Sequence, residues 1–208
     1  MFEELRDHWC CRPDRPFYSW HVTFADSPEI AALQVSYATL LQELPGFSPV
    51  PPQWLRLDVQ GIGFTDRVPD ADLARIVEAT RLRVAGLASF PVSVGPAVLD
   101  PESLQLPVRP IEPFQHLRDL TRAAIFDVWG EEAIPRLPEL DPHVALAYSD
   151  LQAPAAPIAA RLLAYPARST TYPITGLTLL SLTRTDRVYH WTPHLTIPFE
   201  PGAQPGAP

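Results

Sequence analysis

The stretch Pro142-His143-Val144-Ala145-Leu146-Ala147-Tyr148, introduced by Asp141, reads as a short strand, because apolar and aromatic residues follow a proline turn signal. Residues i and i+2 of a strand share a face, so His143 and Ala145 are expected to point the same way. A second stretch carries equal weight. Val50-Pro51-Pro52-Gln53-Trp54-Leu55 runs into Arg56-Leu57-Asp58-Val59-Gln60-Gly61-Ile62-Gly63-Phe64. Strict alternation there predicts Leu55, Leu57 and Val59 on one face and Trp54, Arg56, Asp58 and Gln60 on the other.

Working outward, residues 17–24 form another aromatic and β-branched run that reads as a strand. Ser27 and Pro28 mark a helix start, and Ile30, Leu33, Tyr37, Leu40, Leu41 and Leu44 continue it at helical spacing as far as Pro45-Gly46. Further helices are expected from Pro69-Asp70 to about Leu87, from Phe114 to Trp129 before the cap Gly130, and at about 154–164. Strands are expected at 89–99 and 102–109, with a hairpin of 173–183 and 187–199 turning at Thr185-Asp186. Residues 1–16 show no period and read as an irregular lead-in, and 200–208 have the Gly/Pro/Ala composition of a disordered end. Helices and strands are not segregated into blocks of their own. The expected class is α+β: one domain over 17–199 with two lobes meeting near residue 110, each a small antiparallel sheet with packed helices.

Composition narrows the chemistry. Among 208 residues there are 26 prolines, more than twice the usual ~5%, which argues against a helical bundle or coiled coil. All sixteen basic residues are arginine, so Schiff-base lysine chemistry is excluded. A net charge of -8 speaks against a long nucleic-acid track. Cys10 and Cys11 are adjacent and close no useful loop, so two reduced thiols in a cytoplasmic protein are expected. Residues 1–7 lack the apolar run of a signal peptide, and no stretch reaches the ~20 apolar residues of a membrane span. None of the six histidines has the spacing of a metal site, and no phosphate-cradling glycine loop or nucleophile elbow is present, so no metal and no cofactor are expected.

Three strands carry a histidine with a small residue two positions on: His21 with Thr23, His143 with Ala145, and His194 with Thr196. Two such strands facing each other could give one imidazole that takes a proton and one that donates it, with hydroxyls holding an anion between them. Together with the order of elements over residues 17–199, the stretches at 50–64 and 142–148 resemble the 2H phosphoesterases, the superfamily of 2′,5′ RNA ligase-like proteins and cyclic phosphodiesterases. The resemblance implies two pseudo-symmetric lobes, each presenting a His-x-Thr/Ser strand to a central cleft. It also implies metal-free phosphodiester chemistry on 2′,5′-linked or 2′,3′-cyclic phosphates, and no catalytic part for the C-terminal hairpin with His190 and His194.

Measured against that pattern, His143 matches the second motif with Ala145 in place of its hydroxyl. The first motif falls on Arg56-Leu57-Asp58, where an arginine and a carboxylate replace the imidazole and hydroxyl. Arginine holds an anion but exchanges no proton near neutral pH. His143 and His21 are therefore the candidate catalytic residues, and Thr23, Arg56, Asp58, Gln60 and Tyr148 the candidate substrate-binding residues. Two repairs are open: His21 supplies the missing imidazole, or Arg56 and Asp58 pair over a remodelled pocket. The leading expectation is a divergent enzyme acting on a small nucleotide or cyclic phosphate. The alternatives are a fold recruited to cyclisation or elimination in specialised metabolism, and a non-catalytic protein that binds nucleotides or RNA ends. Flanking Trp20, Trp54, Phe64 and Tyr148 offer rings for stacking a base, with core packing as their plain structural role.

Overall fold

The computed structural model describes residues 2–10, 14–136 and 138–202. In chain order these form β1 (Glu4–Leu5), β2 (Phe17–Thr23), α1 (Pro28–Val35), α2 (Ala38–Glu43), β3 (Phe47–Pro49), β4 (Arg56–Phe64), α3 (Asp70–Val84), β5 (Phe90–Val94), β6 (Val98–Asp100) and β7 (Ser103–Arg109). There follow α4 (Glu112–Trp129), β8 (His143–Ser149), β9 (Ala153–Pro154), α5 (Ala156–Ala164), β10 (Thr170–Ile174), β11 (Gly176–Thr185) and β12 (Val188–Pro198).

Two antiparallel sheets build the α+β architecture. The first runs β12-β11-β2-β4, and the second runs β10-β5-β7-β8-β3 with β6 also on β7. Both draw on early and late parts of the chain, so a boundary near residue 110 does not separate them. On the first sheet, Trp20, Leu57 and Val59 are buried under α4, against which α3 packs, with Ile76 and Ile125 closing the layer. On the second, Val94, Leu104, Leu106, Val108 and Leu146 are fully buried, and α1 lies against β10. β4 and β8, the strands of the two quoted stretches, approach each other where the sheets meet.

Local chemistry explains the elements. Asp70 and Asp72 open α3 and Arg81 and Arg83 close it, matching the positive N-terminal and negative C-terminal ends of its dipole. Gly130, at φ 84°, caps α4. The β11–β12 hairpin turns on Asp186 and Arg187, both at positive φ, as a tight two-residue turn requires.

Five expectations need correction, the first being the strand expected at 89–99, which divides into β5 and β6. The helix expected from Ser27 to Leu44 breaks at Ser36-Tyr37, and the buried Tyr37 hydroxyl serves the backbone of Ala97 and Arg168. Residues 170–174 form a separate strand on β5. The lead-in is not irregular throughout: β1 pairs with β9 and Leu5 is fully buried. Residues 200–202 are held by the Ser89 amide donating to the Glu200 carbonyl and the Gly202 amide donating to Ser89 Oγ. Cys10 is exposed; Cys11 and the end at 203–208 lie outside the described residues. Among the described residues, no helix is long and apolar enough to cross a membrane.

Candidate functional site

Cross-strand register assembles the first wall of the site. Thr23 pairs with Arg56 and His21 with Asp58 on β2 and β4. The His21 row continues through Thr178 to Thr196 on β11 and β12, whose hydroxyls lie 3.0 Å apart. Between Trp20 and His21 the register slips, because β4 carries one extra residue at Val59. Such a bulge reverses the alternation beyond it. Gln60 therefore sits opposite Trp20 and turns toward the helix layer, where its Oε1 accepts a hydrogen bond from Arg122 on α4. The sequence expectation placed Gln60 beside Asp58; the bulge places it on the opposite side of the sheet.

Arg56 and Asp58 form the centre. Arg56 Nε lies 3.3 Å from Asp58 Oδ1, and the arginine side chain is 5% exposed against 68% for the acid. Asp58 is thus an exposed carboxylate set against a buried guanidinium. Desolvation there pushes its pKa up, but Arg56, His21 and His143 outweigh that and hold the carboxyl well below the usual carboxylate range. Burial likewise works against the Arg56 charge, but Tyr148, Asp58 and Tyr189 more than restore it. The Tyr148 hydroxyl, a neighbour of the Arg56 charge, stays protonated, its pKa pushed up to about 12 chiefly by burial. The Tyr189 ring lies 4.7 Å from the guanidinium carbon, a cation–π contact.

Of the two candidate imidazoles, one is covered and one is open. His21 is 1% exposed, with Nδ1 2.9 Å from Asp58 Oδ1, so it stands behind the acid rather than on the groove surface. His143 is half-buried at the start of β8. Its Nδ1 donates to the Asp141 carbonyl at 2.8 Å. That bond leaves Nε2 as the nitrogen able to exchange a proton. Ala145 follows it on the same face, and a slip in the β7–β8 register brings Tyr148 onto the groove side. The structure therefore gathers His21, Thr23, Arg56, Asp58, Tyr148 and His143, and leaves out Gln60.

Sequence reasoning did not place His8, Glu102 or Tyr189, which surround Tyr148 and Arg56. His8 stacks on Tyr148 at 4.0 Å and bonds Glu102 and Tyr189. His194 lies edge-on to Tyr18, away from Arg56. A cavity of about 710 Å³ is a separate apolar recess lined by Phe2, Tyr37, Leu99, Leu162 and Tyr165; it shares no residue with this site. Among the described residues, no group of three or more His, Cys, Asp or Glu side chains is placed to hold a metal.

No family model and no curated protein matches the chain. Solved structures do. The TT0787 protein of Thermus thermophilus aligns at 22% identity and TM-score 0.70, over 90% of this chain and 100% of its own. A phosphoesterase aligns at 14% identity and TM-score 0.62, over 91% and 99%. LigT of E. coli in its apo form aligns at 13% and 0.63, over 90% and 99%. The chain shares the fold of these proteins, as the sequence resemblance implied. Within that fold, β4 and β8 are the strands on which the family's two motifs fall by the sequence resemblance. This chain presents Arg56-x-Asp58 on one and His143-x-Ala145 on the other.

Proposed function

We propose that this 2H-fold chain is a phosphodiesterase-like enzyme for a small nucleotide or cyclic phosphate, in which His143 exchanges the proton and the Arg56–Asp58 pair replaces the second imidazole. The observation that carries the reading is the half-buried His143, whose Nδ1 is engaged by the Asp141 carbonyl so that Nε2 is left for proton exchange, on a strand that touches the strand of Arg56 and Asp58. LigT has been crystallised with phosphate, ATP and 3′-AMP, which supports a substrate of that size and charge here.

For a 2′,3′-cyclic phosphate the steps balance with side chains alone. Asp58 accepts a hydrogen bond from water and takes its proton as oxygen bonds to phosphorus. Arg56 and Tyr148 oppose the charge that builds on the phosphoryl oxygens. The ring P–O bond breaks, and protonated His143 gives its proton to the leaving ribose oxygen. Solvent then returns the Asp58 proton to His143. His21, behind Asp58, orients the carboxylate.

The test is turnover of a 2′,3′-cyclic nucleotide by wild type and His143→Ala. Loss of turnover in a folded variant supports the assignment, and undiminished turnover overturns it. A second reading has its own observation: the acid held ionised on the groove surface already neutralises Arg56 and is a weak base. That balance suits an uncharged or cationic metabolite undergoing proton transfer in a cyclisation or elimination. Inorganic phosphate failing to bind, with an apolar metabolite binding, would select it. Nucleotide binding without turnover by the wild type would select a non-catalytic binding role.

A further inference from the structure

Arg56 is the cation of the site, yet its own strand does little to fix it. Its Nε is buried without a hydrogen-bond partner, and its one carboxylate neighbour stands in solvent. The Tyr189 ring packs on the guanidinium at 4.7 Å, and Tyr148 is an electrostatic neighbour of the same charge; the two tyrosines come from different sheets. Tyr148 is on β8, and Tyr189 is beside the hairpin turn of β11 and β12.

Both rings meet on His8. Residues 2–10 run along the second sheet, with the Arg6 amide donating to the Pro101 carbonyl at 2.7 Å and the His8 amide donating to the Ser149 carbonyl at 2.9 Å. This brings the His8 imidazole, 7% exposed, between the two tyrosines. Its Nδ1 donates to Glu102 Oε2 at 3.0 Å. In the neutral ring that leaves Nε2 to accept from the Tyr189 hydroxyl, 2.9 Å away. Its face stacks on Tyr148 at an interplanar angle of 21°. Trp9 packs edge-on to Tyr148 at 5.3 Å, and its carbonyl accepts from Arg184 of the hairpin at 3.4 Å.

We propose that His8 is a positioning residue for Arg56: it clamps Tyr148 and Tyr189 at fixed orientations, and residues 2–10 are a strap without which the site is incomplete. One imidazole uses both nitrogens and one face, so three restraints depend on it. Arg56 is a long side chain whose reach to a substrate anion depends on being held. Removing the clamp frees the Tyr189 ring to swing with its hairpin and uncovers one side of the guanidinium. The inference rests on Arg56 being a working group of the site, as proposed above.

The experiment compares wild type with His8→Ala, His8→Gln and Tyr189→Phe. Its first readout needs no substrate: the Arg56 Nε–H resonance in a nitrogen–proton NMR spectrum, assigned by its loss in Arg56→Lys. In the wild type the Tyr189 ring current is expected to displace this resonance, and both His8→Ala and Tyr189→Phe are expected to shift or broaden it. His8→Gln, which can still span Glu102 and Tyr189, is expected to restore it in part. The second readout is kcat and KM on 2′,3′-cyclic AMP, where kcat/KM is expected to fall about tenfold to a hundredfold in His8→Ala and to recover partly in His8→Gln. An Arg56 resonance unmoved in a folded His8→Ala protein overturns the proposal. If His8→Ala does not fold, Tyr189→Phe decides in its place, since it keeps the ring and deletes only the hydroxyl: a shifted resonance supports the clamp and an unmoved one overturns it. A wild type inactive on the cyclic nucleotide but with a clamped Arg56 resonance would remove the proposed reaction and leave the positioning role standing.

Discussion

Replacing Asp58 by asparagine removes a charge and keeps a shape, and the structure sets what that should cost. Arg56 would keep the Tyr148 hydroxyl and the Tyr189 ring but lose its carboxylate at 3.3 Å. Breaking a fully buried ion pair by removing one partner costs about 3–5 kcal/mol, whereas an exposed pair is worth about 0.2–1 kcal/mol. This pair lies between the limits, since the arginine is buried and the acid is 68% exposed. With solvent screening the acid and the cation–π contact retained, the expected loss is about 1–2 kcal/mol. For a chain of this size that lowers Tm by about 2–8 °C. The pH dependence has a definite sign. The folded carboxyl lies below its ordinary value of 3.8, so its contribution is complete above that pH and is lost as pH falls toward the folded value. Urea unfolding of wild type and Asp58→Asn should therefore differ at neutral pH and converge in acid. Equal midpoints at neutral pH, or a gap that persists undiminished in acid, would refute the electrostatic account of the pair.

Other substitutions probe the remaining geometry. Gln60→Ala should lose about 1–2 kcal/mol, because Arg122 loses a partner in the helix layer; KM for any substrate of the groove should not change, and titration of binding against urea stability separates the two effects. Gly95→Ala should destabilise by about 1–3 kcal/mol, since φ is +89° and the new Cβ would sit 2.7 Å from the Arg168 carbonyl oxygen; thermal unfolding measures it. His21→Asn should lower kcat more than it raises KM if the buried imidazole acts only by orienting Asp58, and steady-state kinetics on the cyclic nucleotide would show the split.

The strands at 17–23, 56–64 and 143–149 were legible because each carries a residue pattern that only a half-buried strand satisfies. The positions of Arg56, Asp58 and His143 followed from the same pattern. Gln60 was not legible, because a bulge changes which face a residue takes without altering composition, and Val59 gives no glycine or proline to announce it. The depth of His21 was also hidden: alternation shows its face, but its coverage depends on β11, which arrives from far along the chain. His8 lies in a stretch without period, and its importance comes wholly from tertiary contacts with Glu102, Tyr148 and Tyr189. Tyr189 sits in a hairpin whose strand character was clear and whose reach toward the second sheet was not.

The order of strands in the first sheet has a consequence for biosynthesis. The second sheet can pair β5, β7, β8 and β3 once residue 149 has been made, whereas β2, synthesised near the start, receives its neighbour β11 only after residue 176. On the ribosome, four strands of the second sheet can therefore pair, with β10 still to come, while β2 has an open edge at Thr178's future place, with His21 beside it. Pairings this distant along the chain form slowly and leave apolar strands uncovered meanwhile. Arg56 gains Tyr189 at the same late moment, so a chain released before the hairpin emerges would carry Arg56, Asp58 and His143 with the Tyr189 side of the candidate site missing.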